Sequence, residues 1–138
     1  MVRNDKEATV AKSFMQMVGE AKAEVPGMSP QDVQAKISGS AKPLVIDVRE
    51  PEGIKETGAI PSSINVPLGE LPIKADQELP EAVRDARLQD RNQEVIVTCA
   101  AGAQAALGAK MLKDMGFTNV SYVEGGTRGW KEAGLSTE

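Results

Sequence analysis

The 138-residue sequence has no histidine, one cysteine and only 3% aromatic residues. Without histidine the usual general base beside a nucleophilic side chain is missing, so a Cys-His protease or acyl transferase is excluded. One thiol and no imidazole leave too few ligands for a zinc site, and no cofactor is implied. A single cysteine also rules out an internal disulfide framework. There is no positive-then-apolar-then-small leader and no apolar run near the length of a membrane span, so the expected setting is cytoplasmic and reducing. The Asn119-Val120-Ser121 sequon then reads as chance. Lys and Arg number 16 against 20 Asp and Glu, giving a net charge of -4, and they are dispersed rather than blocked. That pattern argues against a nucleic-acid surface.

What is present centres on residues 95–115. Val95-Ile96-Val97-Thr98 is a β-branched run suited to a buried strand, and Ala105, Leu107, Met111, Leu112 and Met115 recur at helical spacing. Between them lie Cys99 and the small residues Ala100, Ala101, Gly102 and Ala103, followed by Gln104. A strand that passes through a tight loop into a helix puts that loop at the carboxyl edge of a parallel sheet, where open α/β sheets bind ligands. Helix-start N–H groups favour negative charge there, and hence a nucleophilic thiolate on Cys99. Read from the residues alone, the loop is either a cradle for a charged sulfur or small oxyanion, or a tight turn beside a cysteine acting as a small hydrophobe.

The length suits one domain. Residues 7–24 carry Val10, Ala11, Phe14, Met15, Met17, Val18 and Ala21 on one stripe, which predicts an amphipathic helix packed on the domain or facing a second subunit. Residues 25–28 read as an extended connector, and Ser29-Pro30 opens a helix that stops at Gly39. Strands are predicted at 44–49, 63–66 and 120–123, a loop with at most one helical turn at 50–57, and helices at 80–88 and around Trp130. The alternation predicts a doubly wound α/β domain: a mainly parallel central sheet with helices on both faces, plus the N-terminal amphipathic helix. The expected division is a helical extension over 1–24 and the domain proper over 25–138.

Four segments in order carry a resemblance. Leu44-Val45-Ile46-Asp47-Val48-Arg49-Glu50-Pro51-Glu52, then Gly58-Ala59-Ile60-Pro61-Ser62-Ser63-Ile64-Asn65-Val66-Pro67, the Cys99 loop, and Gly125-Gly126-Thr127-Arg128-Gly129-Trp130 together resemble the rhodanese (sulfurtransferase) family. The resemblance implies that Cys99 takes a sulfane sulfur from a donor, holds it as a persulfide and passes it to cyanide, a thiol or a partner protein. The backbone N–H groups of Ala100, Ala101, Gly102, Ala103 and Gln104 would hold the charge. Asp47 and Arg49 would organise the neighbouring strand end, and Trp130 would anchor the last helix. The loop from Cys99 to Gln104 spans six residues, the length the family associates with sulfur transfer; relatives with one residue more are phosphatases and arsenate reductases.

Two departures shape the expected activity. Active members often carry a basic residue after the cysteine and an arginine at the loop end, where this chain has Ala100 and Gln104. A charge-assisted contact of about 1.5–3 kcal/mol is thereby replaced by one nearer 1, so thiosulfate should bind weakly and a persulfide or polysulfide better. Ala59 stands where the family commonly has histidine, a position read as structural. A noncatalytic binding or sulfur-sensing module is the competing reading, and a homodimer through the first helix is compatible with either.

Overall fold

The computed structural model describes residues 11–138. Five strands, β1 (Gly27–Met28), β2 (Leu44–Asp47), β3 (Ile64–Asn65), β4 (Val95–Thr98) and β5 (Val120–Val123), form one sheet in the order β1-β5-β4-β2-β3. Every neighbouring pair is parallel. Alternate strand residues feed opposite cores, as the two-residue period of a strand requires. Ile46, Val95, Val97, Val120 and Tyr122 point to one side, where α1 (Phe14–Glu24), α4 (Leu71–Ala75) and α5 (Ala103–Asp114) cover them. Val45, Ile96 and Val123 face the other, beneath α2 (Pro30–Ser38) and α6 (Gly126–Glu132), with Val33 and Trp130 at its centre. The doubly wound α/β architecture is as the sequence predicts.

Several boundaries differ, each for a local reason. The first helix starts at Phe14 because Ser13 and Gln16 form a reciprocal cap: the Ser13 Oγ accepts the Gln16 N–H at 3.1 Å and the Gln16 Oε1 accepts the Ser13 N–H at 2.7 Å. Residues 7–10 of its predicted span lie outside the described residues. The helix packs back on α5, burying Val18 and Ala21; burial of a side chain such as Val18 contributes about 1.5–3 kcal/mol. Among the described residues of the stripe Ala11, Phe14, Met15 and Met17 stay out, the last three 46%, 63% and 41% exposed. The connector at 25–28 is extended, but Gly27 and Met28 also pair with Tyr122 and Val123 as an edge strand.

The segment predicted as a loop forms α3 (Pro51–Thr57), with proline at its start and Gly58 at its stop. The helix predicted at 80–88 is not formed. Asp76 accepts the N–H groups of Glu78 and Leu79, and Asp85 accepts that of Arg87, so aspartates satisfy the backbone locally and leave only a 3-10 turn at Ala86–Leu88. Arg91 fastens this excursion to the domain by donating to the carbonyls of Ala75, Leu88 and Met115.

Candidate functional site

β4 ends at Thr98 and α5 begins at Ala103, and the chain between them turns on Gly102, whose φ of 102° lies in the left-handed region that glycine alone adopts freely. This turn returns the Gly102 N–H to Cys99, where it donates to Sγ at 3.0 Å. Ala100, Ala101, Ala103 and Gln104 offer N–H groups that have no acceptor among the described residues. The first turn of a helix has no internal partners for such donors, and small side chains leave them accessible to a ligand. Cys99 itself is 2% exposed, so the loop presents a sulfur seated in backbone rather than projecting into water.

A second turn holds the first. The Thr127 N–H donates to the Cys99 carbonyl at 2.8 Å and the Arg128 N–H to that of Ala100 at 3.0 Å. Gly126, at φ 61°, comes so close that a Cβ there would sit 2.6 Å from the Cys99 oxygen and 2.8 Å from both the Ala101 and Gly102 nitrogens. Thr98 Oγ1 and Thr127 Oγ1 meet beneath the loop at 3.3 Å. In the sequence Gly125, Gly126, Thr127 and Arg128 belong to the last of the four resembling segments, with no role of their own. The glycine pair was the available signal, but its contact with the cysteine loop depends on β5 lying beside β4, which no local pattern shows.

Asp47 and Arg49 occupy the neighbouring strand exit. Arg49 donates through Nε and Nη2 to the Asp47 carboxylate at 3.0 and 2.7 Å, and also to Gly53 O, Thr57 Oγ1 and Gly58 O. Both side chains are buried, and Asn65 Nδ2 donates to the carbonyls of Asp47 and Arg49 at 2.9 and 2.8 Å. The pair thus ties β2, α3 and β3 together beside the loop. Trp130 is completely buried, and its indole N–H donates to Ser136 O at 2.9 Å. Among the described residues no helix is long and apolar enough to cross a membrane.

Chemically, this arrangement presents a buried sulfur at the carboxyl edge of the sheet and several uncommitted N–H donors around it, and the loop itself contributes no side-chain cation. It suits a nucleophile whose charge, or whose added atom's charge, is held by the main chain.

A family model for the rhodanese-like domain matches residues 29–133. YrkF of Bacillus subtilis (strain 168), provisionally named a sulfur carrier protein, is 28% identical over 128 residues, which cover 90% of this chain and 63% of YrkF. The chain therefore spans less than two thirds of that relative. A solved structure from Rhodopseudomonas palustris, described as a protein of unknown function and possible tyrosine phosphatase, superimposes with a TM-score of 0.85 at 29% identity, over 94% of this chain and 97% of that one. The polysulfide-sulfur transferase of Wolinella succinogenes, solved as a homodimer, gives a TM-score of 0.70 at 30% identity over 91% and 86% of the two chains.

Proposed function

This chain belongs to the rhodanese-like family, and on that premise we propose that it is a sulfurtransferase working through a persulfide on Cys99. In the forward step the Cys99 thiolate attacks the outer sulfane sulfur of the donor. The donor's S–S bond breaks, its inner sulfur leaves with the electron pair, and Cys99 carries the transferred sulfur. In the return step cyanide or an acceptor thiolate attacks that outer sulfur and Cys99 leaves as the thiolate, restoring the enzyme. The loop donors of Ala100, Ala101, Gly102, Ala103 and Gln104 hold the charge on the outer sulfur in between.

The observation that carries this reading is the Gly102 N–H donated to Cys99 Sγ at 3.0 Å inside a loop of small residues. With Ala100 and Gln104 where cations are common in the family, the preferred donor is a polysulfide or persulfide rather than thiosulfate. The likeness to a polysulfide-sulfur transferase supports that preference. A phosphate monoester would call for the loop cation that Gln104 does not supply. The test is thiocyanate formation from polysulfide and cyanide, which should depend on Cys99. Turnover that survives Cys99→Ser would remove the proposal.

The exposed Phe14, Met15 and Met17 favour a second reading, in which the domain binds a partner or a second copy through α1 and does not turn over. A protein that forms stable assemblies through these residues while failing the thiocyanate assay would fit that reading instead.

A further inference from the structure

A cleft of about 260 Å³ opens beside the cysteine loop at Ala100, between α3 and α6, with Arg49, Thr57, Arg128, Lys131 and Glu132 on its walls. Pockets for drug-sized ligands run from roughly 300 to 1,000 Å³, so this one suits a smaller molecule. Its cations are not equivalent. The Arg49 guanidinium is committed to Asp47, Gly53, Thr57 and Gly58. Arg128 is exposed and in no ion pair among the described residues, although its backbone is bonded to the loop through Ala100. Lys131, three residues on and so on the same side of α6, reaches only the Thr57 carbonyl among the described residues, at 3.3 Å. The charge absent from the loop at Ala100 and Gln104 is therefore present one cleft away, on the helix that holds the loop.

We propose that Arg128 and Lys131 select the donor by binding a carboxylate at the far end of a low-molecular-weight persulfide whose sulfur lies at Cys99. Arg128 offers a planar fork matched to a carboxylate, and Lys131 adds a point charge beside it. Glu132 on the same wall offsets part of the positive charge, which favours a single carboxylate over a compact dianion such as thiosulfate. The inference rests on the sulfurtransferase reading, and one experiment separates the two. The rate at which Cys99 gains sulfur is followed by intact mass with the persulfide of 3-mercaptopropionate, which carries a carboxylate, and with that of 2-mercaptoethanol, which does not.

The wild type should load from the acid about tenfold faster at low donor concentration, the size of one charge-assisted contact. Arg128→Gln/Lys131→Gln should bring the two rates together. Arg128→Gln alone, which leaves the Lys131 contact with Thr57 intact, should lose most of the preference. Equal loading by the wild type, or a preference that survives in the double variant, overturns the role of the cleft while leaving sulfur transfer in place. If neither donor loads Cys99, sulfur transfer fails, and the cleft is judged by binding of 3-mercaptopropionate itself, read from the Ala100 and Arg128 amide signals. Binding lost in the double variant keeps the cleft; no binding by the wild type overturns it as well.

Discussion

The exits of β2 and β4 lie side by side, with Asp47 in register with Thr98, yet they are built in opposite ways. At β2 the turn is filled by side chains: a buried carboxylate meets a buried guanidinium, and that guanidinium reaches three further groups on α3 and its end. At β4 the turn is nearly emptied of side chains, and the main chain of Gly102, braced by Gly126 and Thr127, faces the sulfur. The first exit satisfies every charge internally and has little left to offer a ligand. The second keeps its donors open. The saturated exit ties β2 to α3, the open loop is held by the turn at Thr127 and Arg128, and disturbing each should have its own consequence.

The largest effect should come from Asp47→Asn. It leaves Arg49 buried without its carboxylate, at a cost of about 3 kcal/mol or more, a large share of a typical domain's net stability. Urea unfolding measures it, and a loss under about 1 kcal/mol would show that the pair is dispensable. Next is Gly126→Ala, where a methyl group would press on the backbone of Cys99, Ala101 and Gly102 from a left-handed conformation. Strain and overpacking should together cost about 2–3 kcal/mol. This variant should also slow sulfur loading of Cys99 under conditions where it is still folded, which a purely structural glycine would not do.

Gln104→Arg works in the other direction, placing a side-chain cation at the open exit. It should raise kcat/KM on thiosulfate about tenfold while changing the polysulfide reaction less. An equal change on both donors would contradict the role given to Gln104. The smallest effect belongs to Asp85→Asn, which serves as the control for Asp47. Asp85 and Arg87 repeat the Asp47–Arg49 geometry, with Nε and Nη2 donating at 3.0 and 2.6 Å, but Arg87 is exposed. At pH 7 the substitution should cost less than about 1 kcal/mol. Hydrogen bonds from Arg87 hold the Asp85 carboxyl below its ordinary value against the opposing effect of burial. A carboxyl depressed in this way stabilises the fold above its unfolded pKa of about 3.9 and loses that contribution as pH falls through its folded value. Asp85→Asn should therefore flatten the stability profile only below about pH 4.

The buried strands were legible because β2, β4 and β5 are covered on both faces and so are written as short apolar runs. The cysteine loop was legible because a strand, a run of small residues and a helix follow one another without interruption. Other elements depend on partners distant in sequence. Gly27 and Met28 form a strand only because β5 offers an edge, and α3 gains its anchor from Arg49 rather than from a hydrophobic face, since none of its residues is buried. The predicted helix at 80–88 failed where aspartates could bond nearby N–H groups, a competition that helical spacing does not register. Arg128 stood inside a recognised motif, but its relation to the cysteine appears only when α6 is seen bonded to Ala100.

The central claim is that the open exit carries sulfur on Cys99, and intact-mass analysis after brief exposure to glutathione persulfide or thiosulfate tests it most directly. The account predicts one added sulfur atom on the wild type, none on Cys99→Ser, faster addition from the persulfide, and removal by cyanide. No cyanide-labile sulfur from either donor, or the same addition on Cys99→Ser, would contradict it.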